Sequence, residues 1–356
     1  MDSKLLAKLE KRENEGTLRY LSIFDSEIDF FSNDYLGLAK ENIHLTTKVS
    51  GATGSRLLSG NSEQADKCEV FLADFFNSKA ALVFNSGYSA NLALLSSVPQ
   101  RGDTIIYDEL VHASIRDGIR LSFANSISFK HNDSKDLKKQ IESSNGSIYI
   151  IVESLYSMNG DLCPLKSIID LSEEFKAYLI VDEAHSVGVF GNLGRGVVDS
   201  FSFQDKVFAR IITFGKAYGF HGAAILGSID LKNYLINFAR PFIYTTGLPS
   251  QDYDIITLKV KSNSRKRQES LHENIRYFRN EFLDPQCLPS ELNSPIQIIQ
   301  TNSIEETIKL ADRMKAAGIY TKPIFSPTVL KGKECIRICL HSFNTREEID
   351  LLKSLI

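Results

Sequence analysis

A lysine that could act as a nucleophile stands where an apolar segment ends and a glycine-rich turn begins. The stretch IITFGKAYGFHGAAIL carries Lys216 directly after Gly215, with Gly219 and Gly222 close behind. Burial or a nearby cation lowers the pKa of a lysine, and the neutral amine is both a nucleophile and a proton carrier. A lone lysine in such a turn is more often a surface residue, so the assignment depends on its surroundings.

A carboxylate that could face a cofactor precedes Lys216 by 34 residues. The segment AYLIVD ends at Asp182 and continues into DEAH. Ligands of open α/β sheets bind beyond the carboxyl ends of the strands, where an aspartate can pair with a protonated ring nitrogen. An aspartate in this position could instead cap the next helix. The letters D-E-A-H also occur in helicases, but the G-x-x-x-x-G-K-[ST] phosphate loop of a nucleotide motor is missing.

An anion site is predicted where the segment ALVF is followed by Ser86, Gly87 and Tyr88 and then by the helical pattern ANLALLSS. Backbone N–H groups and the helix dipole at such a turn favour a phosphate, although a plain helix cap has the same pattern. Farther along, His112 follows the strand-like segment TIIY. A flat imidazole there could lie against a flat cofactor ring, but a lone histidine can equally be a bystander.

The elements that must position these residues alternate between strand and helix from residue 80 to residue 230. Strand-like apolar segments are AALVF, TIIY, SIYIIVES, AYLIVDE and ARIITF, and PLKSIIDLSEEFK has a helical pattern. Strands that are apolar at consecutive positions are covered on both faces, which predicts an α/β fold with a mostly parallel sheet. A charged helical stretch over residues 251–283 and the strand-like segments PIQIIQ and CIRICL then indicate a smaller α+β domain.

Composition excludes several classes of protein. The 356 residues include 41 basic and 44 acidic ones, interspersed, so we expect neither nucleic acid nor an anionic membrane as a partner. The 5 cysteines form no C-x-x-C pair, which argues against a disulfide framework and a structural zinc site and favours the cytoplasm. No apolar run approaches the roughly 20 residues of a membrane helix. The first residues, MDSKLLAKLEKRENEG, predict an amphipathic helix that ends at Gly16.

Eight ordered motifs resemble the α-oxoamine synthases, pyridoxal-phosphate enzymes that condense an amino acid with an acyl-CoA. The resemblance implies the fold type I of PLP-dependent transferases, with a mostly parallel seven-stranded sheet flanked by helices. It also implies an N-terminal arm at 1–40, a large cofactor-binding domain at 41–250 and a small domain at 251–356. The motifs are FFSNDYLGLA at 30–39, GSRLLSGN at 54–61, FNSGYSAN at 84–91, DELVHASI at 108–115, ESLYSMNGD at 153–161, VDEAHSVGVFGNLGRG at 181–196, TFGKAYGFHGAA at 213–224 and FIYTTGLP at 242–249.

The resemblance implies a role for each matching residue. Lys216 would form a Schiff base with pyridoxal 5'-phosphate, Asp182 would pair with the pyridinium nitrogen and His112 would stack on the ring. His185 would bond the ring hydroxyl, and Ser157 would lie beside the ring. The phosphate would be held by Ser86, Gly87, Tyr88 and Thr213, and by Thr245 and Thr246 from the neighbouring subunit of a homodimer with shared sites.

The resemblance also implies the substrates. Arg337, in CIRICL, would bind the carboxylate of the amino acid, because a guanidinium donates to it in a bidentate way. Arg19 and Thr328 would contact the acyl-CoA end. The residues of the motif TFGKAYGFHGAA are most similar to those of the oxononanoate synthase branch. This similarity implies that the substrates are L-alanine and a pimeloyl thioester of CoA or acyl-carrier protein. The product would be 8-amino-7-oxononanoate, in the biosynthesis of biotin. Alternatives are a glycine C-acetyltransferase, a serine palmitoyltransferase, an aminotransferase or lyase of this fold, and a non-catalytic cofactor-binding domain.

Overall fold

The computed structural model describes residues 3–15, 17–18, 20–21, 28–41, 43, 50–281, 290–291, 293–301, 303–326, 329 and 332–356. Three residues named in the sequence analysis lie outside the described residues. These are Gly16, the predicted end of the first helix, and Arg19 and Thr328, the predicted contacts of the acyl-thioester end. Their roles stay predictions.

The described strands and helices follow the predicted alternation. The strands are β1 (Ile28–Asp29), β2 (Ala80–Phe84), β3 (Thr104–Asp108), β4 (Asn125–Phe129), β5 (Ile148–Glu153), β6 (Tyr178–Asp182), β7 (Ala209–Thr213), β8 (Ala223–Gly227), β9 (Ile296–Gln300), β10 (Ile319–Tyr320), β11 (Lys322–Ile324) and β12 (Cys335–Cys339). The helices are α1 (Ser3–Asn14), α2 (Glu63–Phe75), α3 (Gly87–Ser97), α4 (Ala113–Leu121), α5 (Ser134–Glu142), α6 (Leu165–Glu174), α7 (Val197–Ser200), α8 (Ile229–Phe238), α9 (Arg240–Ile243), α10 (Ser250–Ser262), α11 (Arg265–Glu281), α12 (Ile304–Ala316) and α13 (Arg346–Ser354).

The central sheet of the described chain has 7 strands in the order β2-β8-β7-β6-β5-β3-β4. The neighbours from β7 to β4 are parallel, and β8 runs antiparallel to both β2 and β7. This arrangement confirms the predicted α/β class and the mostly parallel sheet.

Both faces of the sheet are covered, as the continuous apolar strands predict. Ile151 and Ile180 pack on one face with residues of α3, α4, α8 and α9. Ile150 and Val181, the alternate positions of the same strands, pack on the other face with residues of α5, α6 and α7. The parallel strands are therefore buried between two layers of helices, and their carboxyl ends meet along one edge.

The carboxyl-terminal part contains the predicted strands in a second sheet. Strand β12 lies between β11 and β9 and is antiparallel to both, and a separate two-stranded pair joins β1 to β10. The predicted domain boundaries stay predictions. Among the described residues, no helix combines the length and the apolar character needed to cross a membrane.

The charged stretch predicted as helical over residues 251–283 is divided into two helices, α10 and α11. The break falls at Asn263, whose backbone is extended (φ −63, ψ 120). The side chain is buried, and its Nδ2 donates to the carbonyl oxygens of Leu193 at 3.1 Å and Gly188 at 3.4 Å. A local helical pattern could not reveal this break, because the acceptors lie about 70 residues away in the sequence.

Candidate active site

Three neighbouring parallel strands bring the predicted residues to one edge of the sheet. Glu153, the last residue of β5, is in register with Asp182, the last residue of β6. Asp182 is in register with Ile211 of β7, and the chain continues from β7 through Thr213 to Lys216. The lysine and the carboxylate that lie 34 residues apart in the sequence therefore lie at the same edge.

Lys216 is partly buried, and its Nζ has no hydrogen-bond partner among the described residues. Burial lowers its pKa to about 8, although the charges of Asp182 and Glu153 act in the opposite direction, and Arg337 lowers it further. Lysine normally titrates near 10.5. An amine with this pKa is partly neutral near neutral pH, so it can attack an aldehyde or accept a proton.

Asp182 is 6% exposed, and each of its carboxylate oxygens accepts one hydrogen bond from the chain. Asn91 Nδ2 donates to Oδ2 at 2.8 Å, and the backbone N–H of Ala184 donates to Oδ1 at 2.9 Å. Each oxygen keeps further acceptor capacity, so Asp182 can also accept a hydrogen bond from a protonated ring nitrogen.

Glu153 is a second buried carboxyl group of the site, and the sequence analysis assigned it no role. Burial and the neighbouring charge of Asp182 raise its pKa to about 8. Its Oε1 accepts a hydrogen bond from the backbone N–H of His112 at 2.6 Å. A signal was present in the sequence, because Glu153 ends the apolar run SIYIIV in the same way as Asp182 ends AYLIV.

His112 stands at the N-cap of α4, with its side chain partly exposed at the edge of the site. Its Nδ1 accepts from the backbone N–H of Ser114 at 3.2 Å and lies 2.8 Å from Ser114 Oγ. Partial burial lowers the pKa of His112, Asp182 opposes this shift, and Lys216 adds to it. A neutral imidazole held by its edge in this way leaves its face open for a flat ring.

His185 is buried, and its Nδ1 lies 2.8 Å from the hydroxyl of Tyr35. Burial and then the nearby charge of Lys216 hold the pKa of His185 well below its usual value. The imidazole is therefore neutral at physiological pH. Because Nδ1 is engaged with Tyr35, Nε2 is the nitrogen that could contact a ring hydroxyl, and the role predicted for His185 stays a prediction.

Arg337 lies on β12 and is almost fully buried. Its Nε donates to the carbonyl oxygen of Ser157 at 2.8 Å, Nη2 donates to Asn33 Oδ1 at 3.1 Å, and Nη1 lies 2.9 Å from Cys339 Sγ. No carboxylate neutralises it within the described part of the chain. A buried guanidinium that lacks a counter-ion favours an anionic ligand, and a substrate carboxylate meets this requirement.

The predicted phosphate turn lies at the start of α3, with Ser86 as its N-cap. Ser86 Oγ accepts from the backbone N–H of Ser89 at 3.1 Å. The N–H groups of Gly87 and Tyr88, which belong to the first turn, have no partner within the helix and can bind an anion. Thr213 is adjacent, because a Cβ added to Gly87 would lie 3.9 Å from its Cβ.

Two of the predicted phosphate ligands use their hydroxyl groups within the chain. Thr213 Oγ1 donates to the carbonyl oxygen of Gly222 at 3.0 Å, so this hydroxyl must rotate to donate to a phosphate. The hydroxyl of Tyr88 donates to Asp117. The backbone of the turn is therefore the better candidate for the main phosphate contact.

Thr245 and Thr246 follow α9 and lie beside the phosphate turn of their own chain. Asn85 Nδ2 donates to the carbonyl oxygen of Thr246 at 2.9 Å, and the Thr246 side chain is exposed. Their predicted contact with the phosphate of a second subunit stays a prediction.

Two glycines allow the loops of the site to pack closely. Gly188 has a φ of +82°, and a Cβ there would lie 2.5 Å from the Cβ of Ala217. Gly219 has a φ of +61°, and a Cβ there would lie 2.0 Å from the backbone nitrogen of Ala39. The loop after β6 and the motif at residues 30–39 are thus held against the turn that carries Lys216.

A separate charged cluster joins the end of β3 to the loop that follows β5. His131 Nδ1 is 2.9 Å from Asp108 Oδ1, and His131 Nε2 is 2.6 Å from Asp161 Oδ2. Burial lowers the pKa of His131, but the hydrogen bonds to Asp108 and Asp161 outweigh it and raise the pKa to about 9. A protonated His131 thus links the end of β3 to the loop that follows β5.

The residues of this edge fit pyridoxal phosphate. The partly buried Lys216 has a lowered pKa, Asp182 has spare acceptor capacity, His112 offers an open face, and α3 offers unpaired N–H groups. Each property matches one part of the cofactor: the aldehyde, the ring nitrogen, the ring and the phosphate.

Comparisons with known proteins agree with this chemistry. The model of the family described as aminotransferase class I and II matches residues 25–354. The chain is 37% identical to the 8-amino-7-oxononanoate synthase of Emericella nidulans, over 96% of this chain and 92% of that protein. The solved 8-amino-7-oxononanoate synthase of Francisella tularensis is 32% identical with a TM-score of 0.79, covering 93% of this chain and 97% of that one. The serine palmitoyltransferase of Sphingomonas wittichii is 26% identical with a TM-score of 0.92, covering 99% and 95%.

Proposed function

The chain belongs to the class I and II aminotransferase family as a pyridoxal-phosphate-dependent acyltransferase, and we propose that it condenses L-alanine with a pimeloyl thioester. The product would be 8-amino-7-oxononanoate, carbon dioxide and the free thiol of CoA or acyl-carrier protein, in the biosynthesis of biotin. The observation that carries the proposal is the position of Lys216, Asp182, His112 and Arg337 around one edge of the sheet. The names of the relatives above support the choice of acyl group.

When bound, pyridoxal phosphate supplies an electron sink for the α-carbon of the amino acid. In our proposal Asp182 holds a proton on the ring nitrogen, His112 covers one face of the ring and excludes water, and the N–H groups of Gly87 and Tyr88 bind the phosphate. His185 would form a hydrogen bond with the ring hydroxyl through Nε2. Each of these residues therefore holds the cofactor rather than the substrate.

Two basic residues act on the substrate itself. Arg337 binds the carboxylate of the amino acid and so orients the bonds of its α-carbon. Lys216, partly neutral near neutral pH because of its lowered pKa, accepts the α-proton and later returns a proton to the same carbon after carbon dioxide has left. The α-carbon can then attack the thioester carbonyl in the interval between the two proton transfers.

The homodimer is part of the proposal. Thr245 and Thr246 lie beside the phosphate turn of their own chain and directly follow Tyr244, whose large side chain is exposed. We propose that a second copy of the chain covers this face and that one of the two threonines reaches its phosphate.

The test is a comparison of kcat/KM for alanine, glycine and serine, each with pimeloyl, acetyl, succinyl and palmitoyl thioesters. One methyl group separates alanine from glycine, and a pocket discriminates such a difference by only about 1–3 kcal/mol, so some cross-reactivity is expected. The proposal expects the highest kcat/KM for alanine with the pimeloyl donor. It also expects the gene to restore growth without biotin in a strain that lacks this step.

A second candidate is the condensation of serine with palmitoyl-CoA. The observation in its favour is the TM-score of 0.92 against the Sphingomonas wittichii serine palmitoyltransferase, which exceeds the 0.79 found for the Francisella tularensis 8-amino-7-oxononanoate synthase. The sequence identities have the opposite order, 26% against 32%. A preference for serine with the palmitoyl donor, together with failed rescue, would select this candidate.

A further inference from the structure

One buried amide connects two residues that carry the proposed chemistry. Asn91, on α3, is 3% exposed, and its Nδ2 donates to Asp182 Oδ2 at 2.8 Å and to Ser114 Oγ at 3.0 Å. Ser114 Oγ lies 2.8 Å from His112 Nδ1. A continuous chain of hydrogen bonds therefore runs from the carboxylate at the end of β6 to the imidazole at the start of α4.

The directions of these hydrogen bonds follow from the donors available. An ionised carboxylate only accepts, so Asn91 presents its NH₂ group to Asp182, and the second amide hydrogen points to Ser114. Ser114 Oγ accepts from Asn91 and can donate its own hydrogen to His112 Nδ1. The backbone N–H of Ser114 also donates to Nδ1, at 3.2 Å. The proton of the neutral imidazole therefore lies on Nε2.

The same helix also places the phosphate turn. Gly87 begins α3 and Asn91 lies four residues later, so both are on one face of the helix, one turn apart. The distance between the N–H groups at the start of α3 and the Asn91 amide is therefore fixed by the helix. A phosphate bound at the helix start would thus have a fixed position relative to Asp182 and, through Ser114, relative to His112.

We propose that Asn91 and Ser114 are positioning residues that hold Asp182 and His112 in one geometry, with His112 in its Nε2–H tautomer. The inference rests on the roles proposed above for Asp182 and His112. Asn91 fixes the orientation of the Asp182 carboxylate and so directs its free lone pairs, while Ser114 sets the plane of the His112 ring. Side chains joined by such a chain of hydrogen bonds are held more rigidly than isolated ones, which suits a site that must hold a flat ring between two side chains.

The experiment uses the cofactor-loaded protein in four forms: wild type, Ser114→Ala, Asn91→Ala and the double variant. Nitrogen-15 NMR of labelled histidine reads the tautomer and the pKa of His112, and steady-state kinetics with alanine separate kcat from KM. We expect Ser114→Ala to raise the pKa of His112, because Nδ1 loses a donor, and to lower kcat about 10-fold. The KM for alanine should change little, since Arg337 lies outside the network.

The double variant tests whether the two residues act as one unit. If they do, adding Ser114→Ala to Asn91→Ala causes no further loss of kcat, because the hydroxyl is already released. Additive losses, or an unchanged His112 spectrum in Ser114→Ala, would overturn the inference. Ser97→Ala is the matched control, since its hydroxyl bonds the backbone of the same helix, Ala93 O at 2.6 Å, away from the site. It should behave as wild type.

Asn91→Asp keeps the test decisive if Asn91→Ala does not fold. The new carboxylate has the same shape, but it repels Asp182 and accepts the Ser114 hydrogen that would otherwise point to His112. We expect the same change in the His112 spectrum as in Ser114→Ala. A wild-type spectrum in this variant would refute the proposed link from Asn91 through Ser114 to His112. Failure of the wild-type protein to bind the cofactor through Lys216 would instead refute the proposed function, so the two failures are distinguishable.

Discussion

The lowered pKa of Lys216 makes a quantitative prediction about how fast the cofactor-free protein captures pyridoxal phosphate. At pH 7.5 a pKa of about 8 leaves about one quarter of the amine neutral, whereas the ordinary value of 10.5 leaves about 0.1%. Only the neutral amine attacks the aldehyde. Lys216 should therefore have about 200 times more reactive amine at this pH than a solvated lysine.

The assay follows the absorbance of bound cofactor after mixing cofactor-free protein with limiting pyridoxal phosphate between pH 6 and pH 10. Rates are divided by those of Nα-acetyl-lysine in the same buffers, after the reference rates have been corrected for the fraction of that amine that is neutral at each pH, so that only the titration of the cofactor itself cancels. A Lys216→Ala variant measures capture by other lysines. We expect the rate constant of the wild-type protein to rise with pH to a plateau, with a midpoint near 8.

Two substitutions should move this midpoint in opposite directions. The charge of Asp182 raises the pKa of Lys216 and that of Arg337 lowers it. The midpoint should therefore fall in Asp182→Asn and rise in Arg337→Gln. A wild-type midpoint near 10.5, or shifts of both variants in one direction, would refute the electrostatic account of Lys216.

Four further predictions concern the cofactor, catalysis, assembly and stability. Borohydride should remove the visible absorption of the cofactor-loaded protein and label Lys216, and a label on another lysine in the peptide map would contradict the site. Asp182→Asn should retain cofactor but lose about 10²-fold or more in kcat. Near-wild-type turnover in this variant would contradict the pairing of Asp182 with the ring nitrogen. The protein should sediment as a dimer at assay concentration. Thr246→Ala should weaken cofactor binding, because it removes a hydroxyl proposed to reach the phosphate of the second subunit. A fully active monomer would exclude shared sites. Protonated His131 stabilises the fold, and this contribution is complete below about pH 6.5 and is lost as the pH rises through about 9. The free energy of unfolding in urea should therefore fall by on the order of 1–2 kcal/mol over that pH range. An equal fall in His131→Asn would rule out this histidine as the cause.

Local patterns in the sequence were sufficient to predict the layers of the fold and to place Asp182 and Lys216 at the ends of neighbouring strands. Apolar periodicity and turn residues are local properties, so the buried strands and the helices between them could be predicted from short segments. Asp182 and Lys216 could be placed at the same edge because the carboxyl ends of parallel strands meet there. The predicted anion site depended on equally local information, a small residue and a glycine before the helix that became α3.

Which other side chains meet around Asp182 and Lys216 could be learned only from the contacts between distant segments. Glu153 became part of the site through the pairing of β5 with β6, Asn91 joined Asp182 across 91 residues, and Tyr35 reached His185 across 150. The antiparallel insertion of β8 between β2 and β7 also has no counterpart in the order of the chain. Hydrogen bonds of about 3 Å depend on the register of strands and the packing of helices, and neither is encoded in the spacing of residues along the sequence.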